Sequence, residues 1–382
     1  MIPKKITRTL LTILVFFLLI SCVVVGFYFG FAYVISQNAR FAKLDSLYGD
    51  SASGSGSVID EHSPGAIEII IPRSSSTKEI AELLQKKGII ENTFIYTILS
   101  KFNGFDGSYM AGTHFVTAKM SYDEIMFVLT QKPKSVRVTF PEGLTYTEVK
   151  ARLSEAGVNF DVTILDNMVR NPQIFLDYDF VTDISIKQGR DWLLQGYLYP
   201  DTYEFDMNTD EETIIRTFLD NTNNKLLAEY YERAEKIGKS LDEIITLASI
   251  IQMECSKTEE MRSVSSVFYN RLNKEGWRLE SCATVNYLLK ENGKAAKLWL
   301  DEGDITTYDS PYNTYLYDGL PPGPICSPGE DAIRAALWPE TSKNLYFCAV
   351  GDGTNDFSQT LDQHNAKIAK YKAEAAQGSS GG

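Results

Sequence analysis

The stretch Ser240-Leu-Asp-Glu-Ile-Ile-Thr-Leu-Ala-Ser-Ile-Ile-Gln-Met-Glu254 decides how the larger part of the chain folds. Ser240 and Glu243 have the spacing of a capping box, which predicts that a helix begins here. Apolar residues then cover nearly the whole circumference of that helix, a pattern that is typical of a buried helix. These residues are Ile244, Ile245, Leu247, Ala248, Ile250, Ile251 and Met253.

Glu254 ends this helix and continues a face that Leu247 and Ile250 make apolar. A buried carboxylate is costly unless it is paired or protonated. One interpretation is structural: Glu254 pairs with Arg262 or Arg271 of the next helix, or lies at the helix end in solvent. The other interpretation is a general acid, whose pKa is raised by desolvation and by the negative end of its own helix.

The amino-terminal segment has the pattern of a membrane-spanning helix. Residues 10–35 are mainly apolar and carry no charge, and the basic residues Lys4, Lys5 and Arg8 precede them. About 26 residues would extend for about 39 Å as a helix, which is enough to cross a bilayer. The positive-inside tendency then predicts residues 1–9 as a cytoplasmic tail of an inner-membrane protein, with the rest of the chain extracytoplasmic.

Leu19-Ile-Ser-Cys22 resembles a lipoprotein cleavage box. However, residues 23–34 continue the apolar run where a lipoprotein would become polar, so we predict an uncleaved, single-pass anchor. Residues 36–65 are predicted to be a flexible linker because they contain Ser51-Ala-Ser-Gly-Ser-Gly-Ser57. Residues 376–382 are predicted to be a disordered tail.

Residues 66–140 are predicted to form a small α+β module in which short strands and helices alternate. His114 is interpreted as a packing or surface residue, and no part of the module has the pattern of a catalytic cluster. The predicted strands cover residues 67–71, 112–117 and 135–140, and the predicted helices cover residues 77–87, 92–101 and 121–129.

Residues 141–375 are predicted to form a mixed, mostly helical domain. Its tyrosine-rich patch, Leu194–Phe205, would suit sugar binding, although such turns more often serve ordinary packing. Ser256 and Glu259 offer a second capping box, so that a following helix would hold Glu254 near a helix junction.

Proline-rich segments follow that helix. Ser310-Pro-Tyr-Asn-Thr-Tyr315 and Gly319-Leu-Pro-Pro-Gly-Pro324 predict a stiff loop, and Ser327-Pro-Gly-Glu330 predicts a helix with proline at its first position. A strand over residues 344–350 and a closing helix over residues 361–371 complete the domain.

Composition excludes some function classes. The formal charge of -13 and the pI of about 4.9 argue against a nucleic-acid partner. The spacings of Cys and His resemble no zinc site, and we expect neither a metal nor a cofactor. Cysteines outside the predicted span allow three disulfide pairings, and free thiols remain possible. They are Cys255, Cys282, Cys326 and Cys348.

Five motifs, over about residues 66–370, resemble the endolytic murein transglycosylases of the MltG (YceG-like) type. The resemblance implies a bacterial inner-membrane lyase with a LysM-like module at residues 66–140 and a transglycosylase domain at residues 141–375. It also implies cleavage of nascent peptidoglycan strands between N-acetylmuramic acid and N-acetylglucosamine, beside cell-wall synthases. The motifs are Tyr197-Leu-Tyr-Pro-Asp-Thr-Tyr203, Leu247-Ala-Ser-Ile-Ile with Glu254, Val267-Phe-Tyr-Asn-Arg-Leu272, Ser310–Tyr315 and Gly319–Pro324.

The resemblance implies that Glu254 is the one catalytic acid and base. Ordinary glycosidases use two carboxylates. In a lytic transglycosylase the 6-hydroxyl of N-acetylmuramic acid attacks its own anomeric carbon, so one residue can first donate and then accept a proton. The expected products have 1,6-anhydromuramyl ends. Candidate substrate-binding residues are Asn313, which is the best single candidate, and Tyr312, Tyr315, Ser310, Gln252 and Tyr203.

The chain departs from the family pattern in three places. Gln252 and Gln195 stand where the family often has Glu, and Cys282-Ala283 stands where an Asp-Pro pair is typical. Gln exchanges no protons, which leaves Glu254 as the one acid in its motif. A different class of function remains open: a non-catalytic, membrane-tethered scaffold that binds peptidoglycan and recruits synthases.

Overall fold

Helices and three two-stranded sheets make up the described part of the chain, so the predicted α+β class is confirmed. This computed structural model describes residues 4–48, 59–297 and 300–378, and the chain divides into two units between Ser135 and Val136. Residues 49–58 of the predicted linker, which include Ser51–Ser57, and residues 379–382 of the predicted tail lie outside the described residues.

The first unit has a core of apolar side chains between a two-stranded sheet and three short helices. The strands pair antiparallel, from Ala66 opposite Thr117 to Ile71 opposite Gly112. Capping boxes at Ser76 and Ser121 begin two of the helices, which explains why their starts were predictable. Its elements are α1 (Lys4–Tyr48), β1 (Ala66–Ile71), α2 (Thr77–Lys86), α3 (Thr93–Phe102), β2 (Gly112–Thr117) and α4 (Tyr122–Leu129).

Helix α1 includes the predicted span and extends beyond it. From Leu14 to Tyr48 it is long and apolar enough to cross a membrane, and its most apolar window is not buried. The prediction of a flexible linker is wrong for residues 36–48, which continue the helix. The helix continues because this part of it is amphipathic and packs on the first unit. Leu44 is buried in the core of that unit, and Phe41 and Tyr48 pack against the same core. The likeness of this unit to a LysM module stays a prediction.

The second unit contains the remaining elements. They are β3 (Ser135–Thr139), α5 (Tyr146–Glu155), α6 (Val162–Arg170), α7 (Asp179–Thr182), β4 (Thr202–Asp206), α8 (Glu211–Lys225), α9 (Ala228–Lys236), α10 (Leu241–Glu254), α11 (Met261–Leu272), α12 (Cys282–Glu291), α13 (Glu302–Thr307), α14 (Glu330–Leu337), β5 (Tyr346–Ala349), β6 (Asn355–Ser358) and α15 (Leu361–Gly378).

Strand β3 corrects the predicted module boundary. It pairs with β4, and the Phe140 N–H donates to the Asp201 carbonyl at 2.9 Å just beyond the pair. The strand predicted at residues 135–140 therefore belongs with the second unit. The pairing could not be predicted from the sequence, because about 60 residues separate the two strands and the residue pattern of a strand does not specify its partner.

Helix α10 lies in the core of the second unit, as predicted. Ser240 and Glu243 form the capping box, and residues from Leu241 to Ile251 are buried with the exception of Glu243. The helix packs against α11, α12 and α14. The carboxyl end of a helix that is this well fixed is a rigid place for a functional side chain.

A buried ion pair fixes the beginning of α10. Arg190 Nη1 lies 2.7 Å from Asp242 Oδ2, and both side chains are inaccessible to solvent. The Tyr197 hydroxyl donates to the other carboxylate oxygen at 2.8 Å, and the Ser185 N–H donates to Oδ2 at 3.1 Å. Arg190 also donates to the carbonyl of Pro322 at 3.4 Å, so the proline-rich loop and the start of α10 share one polar centre.

Three local predictions in this unit are wrong. The second capping box does not form, because the chain enters α11 through a 3₁₀ turn at Thr258–Glu260 that has no side-chain cap. Helix α14 begins at Glu330, with Gly329 as its N-cap, so Pro328 is not its first residue. Helix α15 continues to Gly378, so residues 376–378 of the predicted tail are helical.

Candidate active site

The carboxylate of Glu254 points at the beginning of α12. Its Oε1 atom accepts a hydrogen bond from the Ser281 hydroxyl at 2.5 Å and one from the Ala283 N–H at 3.1 Å. Ser281 is the N-cap residue of α12, so both donors belong to the amino-terminal end of that helix. The positive end of the α12 dipole faces the carboxylate and stabilises its charged form.

Two opposing effects act on the pKa of Glu254. Burial raises the pKa above the ordinary value for a glutamate, and the hydrogen bonds from Ser281 and Ala283 act in the opposite direction. The net direction is upward, as expected for a general acid. The residue as a whole is partly exposed, although protein atoms surround its carboxyl group.

The structural interpretation of Glu254 as a partner of an arginine is wrong. Arg262 donates its Nε–H to the Trp338 carbonyl at 2.9 Å, and Arg271 forms an ion pair with Glu280. Within the described residues, no Lys or Arg forms an ion pair with Glu254. A cation there would hold the carboxylate ionised, and its absence leaves the proton available for chemistry.

Cys282 and Tyr315 border the carboxylate. The Cys282 sulfur lies 3.2 Å from the Tyr315 hydroxyl oxygen. Burial, and secondarily the negative charge of Glu254, raises the pKa of the Cys282 thiol to about 11. Burial also raises the pKa of Tyr315, and the neighbouring Cys282 and Glu254 raise it further. Both groups are therefore neutral near pH 7, and each can donate a hydrogen bond without taking a proton from Glu254.

A threonine pair joins the loop that carries Tyr315 to the beginning of α12. The Ser281 N–H donates to Thr314 Oγ1 at 3.0 Å, and the hydroxyl oxygens of Thr284 and Thr314 are 2.9 Å apart. The Glu280 N–H donates to the Thr314 carbonyl at 3.1 Å, and Glu280 has a φ of 50°. Such a backbone costs about 1–3 kcal/mol and is often found at functional sites.

Asn313, the best candidate for a sugar contact, serves the loop instead. It is fully buried, and its amide N–H groups donate to the carbonyls of Ile305 at 2.8 Å and Tyr308 at 3.0 Å. Its oxygen accepts from the Tyr315 N–H at 3.1 Å. The expectation of a glycan contact is wrong in this structure, because the side chain has no accessible surface.

Two further candidates are also structural. Tyr312 is buried, with its ring centroid 5.0 Å from that of Tyr287. Tyr203 is buried in an aromatic cluster with Phe140 and Phe218, and its hydroxyl donates to the Tyr199 carbonyl at 2.7 Å. The tyrosine-rich patch therefore serves packing, the alternative that its sequence left open.

The side chains of the remaining two candidates accept hydrogen bonds from backbone N–H groups. Gln252 accepts from the Gly329 N–H at 2.9 Å and so holds the beginning of α14. Ser310 accepts from the Tyr312 N–H at 3.3 Å within its loop. The negative charge of Glu254 contributes to the raised pKa of Tyr315, which places this candidate near the carboxylate.

Sequence reasoning missed Ser281 as a hydrogen-bond donor to Glu254. The adjacent pair Cys282-Ala283 departs from the family pattern, but Ser281 itself lies 27 positions from Glu254 and belongs to none of the five motifs. A serine directly before a helical pattern was the one available signal. Gln195, the other departure, is buried and donates to the Pro324 carbonyl at 2.8 Å and the Tyr287 hydroxyl at 3.1 Å, so its role is structural.

No group of three or more His, Cys, Asp or Glu side chains in the described part of the chain could hold a metal ion. Two of the three histidines have structural surroundings: His114 is 2.8 Å from the Met110 carbonyl, and His364 stacks on Tyr346. The third, His62, is exposed and lies 3.4 Å from Glu61 Oε1. The cysteines at positions 22, 255, 282, 326 and 348 are free thiols in this structure.

Comparisons with known proteins agree with the motifs. A Bacillus subtilis protein named endolytic murein transglycosylase is 31% identical, over 82% of this chain and 87% of its own length. A Streptococcus pneumoniae serotype 2 protein of the same name is 29% identical over 94% of this chain, and the chain spans 64% of that relative's length. A crystal structure of a YceG-like protein from Listeria monocytogenes has a TM-score of 0.54 and 30% identity, covering 80% of this chain and 99% of its own. Residues 69–370 match the YceG-like family, and the chain therefore belongs to that family.

Proposed function

We propose that this protein is a membrane-anchored, endolytic lytic transglycosylase that cleaves nascent peptidoglycan strands. The bond cleaved joins N-acetylmuramic acid to N-acetylglucosamine, and the products have 1,6-anhydromuramyl ends. The names of the relatives from Bacillus subtilis and Streptococcus pneumoniae support this class of reaction. Glu254 is the catalytic acid and base.

One observation carries the proposal. Among the described residues, both hydrogen bonds that the Glu254 carboxylate accepts end on Oε1, which leaves Oε2 to carry and present a proton. A carboxyl group with a raised pKa and one uncommitted oxygen suits a general acid. No second Asp or Glu is hydrogen bonded to this carboxyl among the described residues. That arrangement favours a reaction in which the substrate supplies its own nucleophile.

The steps follow from this geometry. Glu254 Oε2 gives its proton to the glycosidic oxygen, and the bond to the anomeric carbon of N-acetylmuramic acid breaks. The Ser281 hydroxyl and the Ala283 N–H stabilise the resulting carboxylate. The 6-hydroxyl of the same sugar then attacks the anomeric carbon, and Glu254 takes its proton. An intramolecular nucleophile has a large advantage of proximity, so no bound water is needed.

The surroundings of the reaction are also part of the proposal. Helix α1 serves as an uncleaved, single-pass anchor, with residues 1–9 in the cytoplasm and the catalytic domain outside. Its length and apolar composition support this arrangement. Anchoring keeps Glu254 near the membrane, where glycan strands emerge, and beside cell-wall synthases as partners. The first unit binds or positions glycan and does no chemistry.

The test uses the full chain and isolated peptidoglycan, with the products identified by mass spectrometry. Wild type should release 1,6-anhydromuramyl products, and Glu254→Gln should lose activity by several orders of magnitude while keeping its fold. Glu259→Gln, an exposed neighbour of the same type, is the matched control and should retain activity. Reducing ends from wild type, or full activity in Glu254→Gln, would refute the mechanism. Binding of glycan without any cleavage would favour the alternative function, a non-catalytic scaffold that binds peptidoglycan.

A further inference from the structure

Helix α3 of the first unit has an apolar face that is largely exposed among the described residues of that unit. Tyr96 and Ser100 turn inward and are fully buried. On the opposite side Phe94, Ile98 and Phe102 follow one another at four-residue spacing, and the two phenylalanines are each 71% exposed. Ile95 widens this stripe, and α3 contains no acidic residue. Exposed apolar surface that continues along a whole helix marks an interaction site.

Contacts with α1 determine the level of the carboxyl end of α3 relative to the apolar run. The Tyr33 hydroxyl donates to the Phe102 carbonyl at 2.6 Å, and Arg40 donates to the Asn103 side chain at 3.0 Å. Tyr33 lies about 16 Å along the helix from the middle of the apolar run 10–35. Half the thickness of the hydrocarbon core is about 15 Å. The carboxyl end of α3 therefore lies where hydrocarbon gives way to headgroups, a level at which tyrosine is common.

We propose that the α3 face formed by Phe94, Ile95, Ile98 and Phe102 lies on the lipid surface of the membrane that α1 crosses. The first unit is then seated on the bilayer and is not suspended from it on a flexible linker. Lys101 is exposed beside Phe102 and can extend its ammonium group toward the headgroups. An amphipathic helix of this kind inserts its apolar side chains at the interface. The inference rests on the proposed anchoring by α1.

The experiment measures the depth of single tryptophans in the full chain, reconstituted in nanodiscs. Discs of phospholipid with brominated acyl chains, which quench tryptophan on contact, are compared with unbrominated discs. The test variants are Phe94→Trp and Phe102→Trp. Phe27→Trp, in the apolar part of α1, reports the anchor, and Met110→Trp is the matched exposed control outside α3. The chain has four tryptophans of its own, so each variant is read as its difference from wild type.

We expect the added fluorescence at Phe27, Phe94 and Phe102 to be lost in brominated discs and that at Met110 to be retained. Quenching at Phe27, with Phe94 and Phe102 behaving like Met110, would overturn the seating of α3 and leave the anchor intact. Absence of quenching at all four positions would overturn both the anchor and the seating. Equal quenching at Met110 and the α3 positions would also overturn the proposal, because lipid contact would not be specific to this face.

Discussion

Replacing Ser281 with alanine tests how the site tunes its acid. The Ser281 hydroxyl donates to Glu254 Oε1 at 2.5 Å, and this bond favours the charged form of the carboxyl group. Alanine removes the bond, while the Ala283 N–H at 3.1 Å remains. The pKa of Glu254, already raised by burial, then rises further. The protonated form should therefore persist to higher pH in Ser281→Ala than in wild type.

The size of the effect follows from the role of this hydrogen bond in the reaction. A hydrogen bond to a charged group contributes about 1.5–3 kcal/mol. The bond from Ser281 strengthens as Glu254 gives up its proton, so its loss destabilises the transition state by about that amount. Each 1.36 kcal/mol is tenfold in rate, and kcat/KM should fall by roughly one to two orders of magnitude. The alkaline limb of the pH profile should move to higher pH, because a general acid must be protonated.

The assay is kcat/KM as a function of pH, with anhydromuramyl products quantified by mass spectrometry. Ser281→Thr keeps a hydroxyl group and is the matched control, which should restore both the rate and the alkaline limb. Thermal unfolding of each variant checks that the fold is retained. An alkaline limb that stays in place or moves to lower pH, in a folded and less active Ser281→Ala, would refute the reasoning. Such a result would mean that Ser281 does not act through the proton of Glu254.

Two predictions concern stability. Because the folded pKa of Glu254 is raised, the favourable contribution of this carboxyl is present at acid pH and is lost as the pH rises through the folded value. Glu254→Gln has an uncharged side chain, so its Tm relative to that of wild type should rise from acid to neutral pH. A Tm difference that stays constant or falls over this range would contradict the prediction. Asp242→Ala leaves Arg190 buried and unpaired, so the free energy of unfolding should fall by about 3–5 kcal/mol in denaturant titration. A loss below about 1 kcal/mol would show that water or another group satisfies the arginine.

The sequence by itself determined the features that depend on neighbouring residues. Capping boxes at Ser76, Ser121 and Ser240 act over three positions, and the structure has helices beginning directly after each of them. The apolar circumference of α10 predicted its burial, because side chains on every side of a helix require protein on every side. Glu254 was identifiable for the same reason, as the one acid that ends a buried helix.

The tertiary structure decided which distant groups meet. The donor to Glu254 comes from Ser281, the partner of β3 comes from residues 202–206, and Asn313 is buried by its own loop. None of these follows from a local pattern, since capping and periodicity act over a few residues, whereas contacts over tens of residues depend on how the whole core packs. The exposed face of α3 also depends on the tertiary structure, because the composition shows an apolar helix and only the fold shows which side is exposed among the described residues.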